Sequence, residues 1–414
     1  MHTTPVANRL HIGIFGKRNV GKSSFINQLT GQHIAIVSDT PGTTTDPVGK
    51  AMEIHGIGPV YLYDTAGIDD SGELGKQRVA RTLQILKKIN LALLVTTADS
   101  FDSTDINLIE ELRSQQREVI LIINKTDINQ PDDTLLAMVS SHSIPWVCVS
   151  CRTGEGIDAA KKIIVERSQR LWVEQDSLLG DIIAQGDVVL LVVPIDLGAP
   201  KGRLILPQVQ VIRDILDHSA VAVTVKEHDL PSMLRLLTKP PSLAVCDSQV
   251  VKTVADAVPP EIKLTTFSIL LSRQKGELAT FVKNVQHISR LGDGDRVLIL
   301  EACTHHPMPD DIGRVKLPRW IRQFTGKNVQ FEINAGPFLD KNLSSYQLII
   351  SCGGCMINRQ EMLSRIRAAE NVKVPITNYG IAISYVHGIL KRVLSPFPAV
   401  QATLAENTGD CRLP

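Results

Sequence analysis

Residues Gly16-Lys17-Arg18-Asn19-Val20-Gly21-Lys22-Ser23 restrict the fold more than any other stretch of the chain. A glycine-rich loop of this spacing works only between a strand and the start of a helix, where backbone N–H groups and the helix dipole converge on an anion. Both flanks comply, since Leu10–Phe15 is apolar and of strand length and an amphipathic stretch follows Ser24. The chain therefore opens as an α/β unit whose first strand-to-helix turn cradles phosphate. Gly16, Asn19, Val20, Gly21, Lys22, Ser23 and Ser24 line that turn. Lys22 is the residue to bridge β- and γ-phosphates, and Ser23 the one to hold Mg²⁺.

Further segments narrow the nucleotide. Asp64-Thr65-Ala66-Gly67 ends an apolar strand 41 residues beyond Ser23, with Asp64 suited to the Mg²⁺ shell and the Gly67 N–H to the γ-phosphate. Gly42-Thr43-Thr44-Thr45-Asp46 lies between them and offers a second hydroxyl to the metal. Asn124-Lys125-Thr126-Asp127 closes another strand. Its Asp127 accepts from guanine N1–H and the exocyclic amine, which adenine lacks. A wrong base leaves that carboxylate unsatisfied, a discrimination on the order of 10⁴-fold where the site is dry. Ser150 and Cys151, with Arg152, fit the loop whose backbone N–H meets guanine O6. The expected ligands are GTP or GDP with Mg²⁺, and the expected reaction is hydrolysis to GDP and phosphate.

At 414 residues the chain exceeds one compact core. Apolar residues at 43% and charged residues at 21% exclude disorder. The apolar run Val188–Ile195 falls well short of the roughly 20 residues a spanning helix needs. Met1–Arg9 lacks a basic stretch leading into an apolar one, so a cytoplasmic protein without a leader is expected. Strands are expected at Leu10–Phe15, Val60–Asp64, Leu91–Val95, Val119–Asn124 and Trp146–Ser150, then a closing helix from Ile157. A second α/β stretch begins at Asp187 with no phosphate loop or catalytic cluster, so packing or self-association is its expected task. A third starts near Lys263, with expected helices Glu277–Leu291, Arg359–Ala369 and Ser384–Leu394 and an irregular tail after Pro396. The fold class is thus α/β: an N-terminal P-loop domain over 1–172, then two further α/β domains with parallel sheets over 173–261 and 262–414.

The third stretch carries 19 Lys and Arg against 12 Asp and Glu, while the whole chain is only +1. Such a basic surface suits an acidic partner or a metal-bound anion, and scattered solvated charge explains it as readily.

Seven cysteines without secretory context argue against a disulfide framework. Cys352-Gly353-Gly354-Cys355 ends an apolar strand and precedes a helix, so two thiolates on a glycine turn can chelate one metal or cluster. Cys303 ends another apolar strand, in Glu301-Ala302-Cys303-Thr304-His305-His306, with 48 residues between it and Cys352. Parallel strands ending side by side would gather these three sulfurs. They suit a 4Fe–4S cluster with one open iron, a Cys₃His zinc site, or, for the Cys-x-x-Cys alone, a redox pair. Cys148 and Cys151 have the same spacing, but on an extended strand they face opposite ways.

The first stretch resembles the Era/TrmE branch of GTPases. That resemblance implies Thr44 as the Mg²⁺ ligand of its loop, and a potassium ion held in part by Asn19. Many GTPases orient the attacking water with a Gln after Asp-x-x-Gly, but Ile68 stands there, so unaided hydrolysis should be slow. Over nearly its full length, with Cys-x-His and Cys-Gly-Gly-Cys behind a GTPase, the chain resembles the HydF family of FeFe-hydrogenase maturation GTPases. The resemblance implies a 4Fe–4S cluster on Cys303, Cys352 and Cys355, and a scaffold that carries a two-iron precursor to the FeFe-hydrogenase apoprotein. It also implies radical-SAM maturases upstream and a homodimer through the middle domain. The family often has His before Cys-Gly-Gly-Cys; here it is Ser351, leaving Glu301, His305 and His306 as candidates for the fourth ligand. Strand alternation puts residues 301 and 303 on one face and favours Glu301 slightly over His305. The competing class is an RNA- or ribosome-associated Era/TrmE-like GTPase with a zinc-bearing C-terminal domain. Aromatics at 4%, with no basic–aromatic stripe, speak against a nucleic-acid platform.

Overall fold

A computed structural model describes residues 4–31, 49–65, 67–69, 81–173, 177–194, 204–302, 311–336 and 342–407. It divides into two compact units, Met1–Gln175 and Asp176–Pro414. Thr44, Cys303, His305 and His306 lie outside the described residues.

The first unit is a sheet of six strands, β1 Leu10–Phe15, β2 Gly49–Ile54, β3 Gly58–Asp64, β4 Leu91–Thr97, β5 Glu118–Asn124 and β6 Trp146–Cys148, in the order β2-β3-β1-β4-β5-β6. Neighbours pair in parallel except β2, which runs antiparallel to β3 from Gly49↔Tyr63 to Ile54↔Gly58. β2 was not foreseen because it is a polar edge strand with no apolar run to betray it. β1 and β4 are buried along their whole length, as parallel strands covered on both faces must be. Leu10, Ile12 and Ile14 face Phe25, Ile26 and Ile164 on one side. Phe15, Leu94 and Leu121 face Ile109 and Leu112 on the other.

The second unit holds two four-stranded, fully parallel sheets. One is β10-β9-β7-β8, from β7 Val188–Val192, β8 Val221–Val225, β9 Leu243–Cys246 and β10 Lys263–Thr266. The other is β12-β11-β13-β14, from β11 Arg296–Glu301, β12 Gln330–Ala335, β13 Leu348–Ser351 and β14 Ile376–Asn378. The edge strand β10 of the first of these sheets lies past residue 261, inside the stretch expected to start the third domain. Helix Phe267–Lys275 follows, capped by the Thr266 hydroxyl accepting from Ile269 N–H. It touches helix Leu206–Asp217 over one sheet and helices Arg359–Asn371 and Tyr379–Val386 over the other. One continuous apolar core results, running from Leu190 and Leu191 through Ile269 and Phe281 to Leu298 and Ile350.

Three expectations are corrected here. The tail is not irregular directly after Pro396, because Pro398–Asn407 forms a helix whose Val400 and Leu404 pack on the core. The helix expected over Ser384–Leu394 is two, Tyr379–Val386 and Leu390–Val393, broken where Gly388 turns left-handed at φ 72°. The one expected over Glu277–Leu291 tightens into a 3₁₀ turn at Val285–Arg290. Among the described residues no helix is long and apolar enough to cross a membrane.

Because the two sheets of the second unit share a core, they should unfold together. Leu190→Ala in one and Leu298→Ala in the other should each remove roughly 2–5 kcal/mol from the same transition in urea unfolding of the full chain. Two separable transitions within this unit would contradict the shared core.

Candidate functional site

In the first unit the phosphate loop leaves the end of β1, and helix Lys22–Thr30 starts from Gly21. Gly21 has φ 96° and an added Cβ would lie 2.3 Å from Asn124 Nδ2, so this position tolerates no side chain. Asn19 is also left-handed, at φ 60°, where Asn is among the more tolerant residues. Lys22 Nζ rests inside the loop, donating to Gly16 O at 2.9 Å and Lys17 O at 2.7 Å. Ser23 and Ser24 are exposed at the helix start. Lys17 anchors the loop sideways, meeting Asp102 at 2.7 Å and Asp105 at 3.2 Å, the capping pair of helix Ser103–Ser114.

Asp64 ends β3, level with Ile14 of β1. Burial pushes its carboxyl up to about 6, against the pull of Lys22. Thr65 secures the strand end by donating to Ile14 O at 2.7 Å. Beyond it the backbone approaches the loop again, with Ile68 N–H on Gly16 O at 3.4 Å and Arg18 N–H on the Asp69 carboxylate at 2.9 Å. Gly67 is buried beside Arg18. The Ile68 side chain packs on the apolar core.

The segment expected to read the base comes off β5 and β6. Asn124 Nδ2 donates to Val20 O at 2.8 Å, and its Oδ1 accepts from Cys151 N–H at 3.2 Å, so one side chain ties the phosphate loop to both base segments. Lys125 takes a left-handed φ of 61° to turn the chain there. Ser150 Oγ donates to Asp127 Oδ1 at 2.6 Å, and Arg152 Nε lies 2.8 Å from Asp127 Oδ2. The Ser150 hydroxyl foremost, and then Arg152, hold the Asp127 carboxyl below its ordinary range, leaving it an ionised acceptor. Cys148 and Cys151 pack on opposite faces of the sheet, and burial raises both thiols, Cys151 to about 11.

In the second unit the chemistry again gathers at strand ends. β11 and β13 run in parallel with Leu300 level with Ser351, and Ala302 N–H donates to Cys352 Sγ at 3.2 Å. Residue 302 immediately precedes Cys303. The turn after Cys352 needs Gly354, whose φ is 68° and whose added Cβ would lie 2.6 Å from Met362. Asn378, at the end of β14, donates to Cys352 O at 3.3 Å and accepts from Ser268 Oγ at 2.9 Å. Burial raises the Cys355 thiol, its neighbour Cys352 adds to that, and Lys275 opposes it. Glu301 is buried and bound to Arg314, Nη2 to Oε2 at 2.8 Å, so a metal would have to draw it from that guanidinium. Among the described residues no three His, Cys, Asp or Glu side chains gather as a metal site.

Sequence reasoning passed over Lys275. Its Nζ is buried beneath the Cys-Gly-Gly-Cys turn and donates to Gly354 O at 3.1 Å, Cys355 O at 3.3 Å and Ile357 O at 3.0 Å. Burial lowers it to about 8, while Cys355, Cys352 and Glu361 pull the other way. A Lys before Gly at a helix end reads as a solvated C-cap, so no sequence signal marks it.

Three family models match the chain: a 50S ribosome-binding GTPase over residues 11–125, a hydrogen maturase F dimerization domain over 178–276 and a hydrogen maturase F tetramerization domain over 279–396. The tRNA modification GTPase MnmE of Bacillus licheniformis is 37% identical over 153 residues, 36% of this chain and 33% of that protein. GTPase Der of Chloroflexus aggregans is 30% identical over 195 residues, 42% of this chain and 43% of that protein. The chain thus spans well under half the length of these curated relatives. Among solved structures, Aquifex aeolicus Era bound to GDP·AlF4⁻ is 20% identical with a TM-score of 0.33, covering 55% of this chain and 98% of Era. The cytosolic domain of the T. maritima FeoB transporter is 25% identical with a TM-score of 0.32, over 39% of this chain and 65% of that one.

Asn124→Ala should loosen the first unit even without nucleotide, because it orphans Val20 O and Cys151 N–H together. The expected loss is about 1–3 kcal/mol, read by urea unfolding of nucleotide-free chain, and an unchanged midpoint would contradict this bridging role.

Proposed function

Because this chain belongs to the hydrogen maturase F family, we propose that it hydrolyses GTP and holds an iron–sulfur cluster at its cysteine turn. For GTP, the support is the ionised Asp127 carboxylate, oriented by Ser150 to accept from guanine. Lys22 leaves its carbonyls for the β- and γ-phosphates, and Ser23 and Thr44 hold Mg²⁺ with Asp64 in its shell. The Gly67 N–H meets the γ-phosphate. Arg152 swings off Asp127 when the base arrives. Ile68 offers no polar atom to orient water, so turnover is slow and a potassium ion at Asn19 assists it.

For the cluster, the support is the Ala302 N–H on Cys352 Sγ, which aligns the ends of β11 and β13. The donor chemistry fits a 4Fe–4S group: two soft sulfurs on a glycine turn, a backbone N–H on one of them and a buried ammonium behind. Cys303, Cys352 and Cys355 would hold three irons, with Glu301 or His305 as an exchangeable ligand to the fourth. When bound, the cluster supplies an open iron to which a second metal fragment can bridge. The cargo is the two-iron precursor of the FeFe-hydrogenase active site, received from radical-SAM maturases and passed to the apoprotein. The working form is a cytoplasmic homo-oligomer built from dimers, for which edge strand β8, with Val221 exposed, offers an open face. The RNA-associated alternative, suggested by the tRNA modification GTPase relatives, rests on the first unit alone.

Anaerobically purified chain should be brown, with four irons per chain. Cys352→Ser should lose that iron and hydrogenase activation while keeping GTP turnover. Colourless protein with one zinc per chain that binds RNA would sink the reading. Asp127→Asn should weaken GTP binding by on the order of 10²-fold or more and relax the choice of base. Equal GTPase rates in potassium and sodium buffers would remove the potassium ion from the scheme.

A further inference from the structure

Lys275 ends helix Phe267–Lys275, where a lysine ordinarily reaches into water near the helix's negative end. Here the residue is only 4% exposed. An ammonium has three donors, and all three go to carbonyls of one short turn, Gly354, Cys355 and Ile357. The grip is returned from the far side of the turn, because Arg359 Nη1 donates to Gln274 O at 2.7 Å and Gly276 O at 3.2 Å. Two cations thus lock the end of one helix and the start of another around the Cys-Gly-Gly-Cys segment.

The charge balance there is also uneven. Glu301 is bound to Arg314 at 2.8 Å, and buried Glu361 lies 3.6 Å from buried Arg365. Lys275 makes no ion contact within the described residues and meets carbonyls only. Arg365 Nε and Nη1, by contrast, find no hydrogen-bond partner among the described residues. A buried cation without a carboxylate is costly unless another anion comes close. Among the described residues the groups able to carry negative charge that act on Lys275 are the sulfurs of Cys355 and Cys352 and the Glu361 carboxylate, which already lies beside Arg365.

We propose that Lys275 is the positioning residue of the cysteine turn: it ties the turn's carbonyls in place and sets a buried positive charge against the anionic group held by Cys352 and Cys355. The second half rests on the iron–sulfur reading above; the first does not. Lys275 lies in the segment matching the dimerization domain, whereas the cysteines lie in that matching the tetramerization domain. The segment matching the dimerization domain therefore contributes a residue to the cysteine turn.

Lys275→Met removes the charge and the donors at similar volume. In reduced, metal-free, full-length chain, hydrogen exchange at amides 353–358 should quicken on the order of tenfold. In anaerobically reconstituted chain, an EPR-monitored redox titration should show the cluster potential shifted negative, since a nearby positive charge favours the reduced state. Lys275→Arg should keep the parent potential. A folded Lys275→Met chain with parent exchange and parent potential overturns the proposal; Lys275→Gln carries the same comparison if the Met variant does not fold. Parent chain that takes up no iron and sulfide defeats the iron–sulfur reading separately, and the exchange rates still decide whether Lys275 holds the turn.

Discussion

Parallel strand pairing is the constraint from which both sites follow. When strands run the same way, their carboxyl ends open onto one edge, and ligands bind in the crevice outside that edge. In the first unit Ile14 stands level with Asp64, Thr97 with Asn124 and Ile123 with Cys148, so loops far apart in sequence leave the sheet together. The third sheet repeats the arrangement, with Leu300 level with Ser351 and Ser351 with Asn378. Neither site would exist if one of these strands were reversed.

Both sites also manage positive charge in the same way. Lys22 rests on carbonyls of the loop that would receive phosphate, and Lys275 on carbonyls of the turn that carries the sulfurs. Oriented carbonyl dipoles are a substitute for an anion, tolerable in a low-dielectric site but weaker than a full charge. The two lysines differ in freedom. Lys22 is only half-buried at the start of its helix. Lys275 is enclosed by two helices and the turn itself, so it acts as fixed charge and fixed geometry.

Helix Phe267–Lys275 joins the two sheets of the second unit in more than packing. Ser268 at its start donates to Asn378, which holds Cys352 O, and Lys275 at its end holds the turn through Cys355. Arg273 adds an ion pair to Asp181 beside the second sheet. A displacement of this helix would be felt at both ends of the Cys-Gly-Gly-Cys segment, which gives any change in the middle sheet a short mechanical route to the sulfurs.

The α/β class, the parallel sheets and the strand Leu10–Phe15 were legible in sequence, because buried parallel strands must be short apolar runs. So were the glycines of the phosphate loop and the placement of Asp64, Asn124, Asp127, Cys352 and Cys355 at or shortly after strand ends, which depends on local spacing. Edge strand β2 escaped because solvent on its outer side permits polar residues. The shared core of the second unit escaped because β10 and the helix after it take their meaning from neighbours on two sheets. Lys275 escaped for the same reason: a charged side chain carries no mark of burial until the fold closes over it. The sequence by itself determined where the phosphate-loop glycines and the Cys-Gly-Gly-Cys turn stand, since those patterns depend on residues within a few positions of one another. Only the tertiary structure decided which charges lie beneath them, because burial is a property of contacts between distant segments.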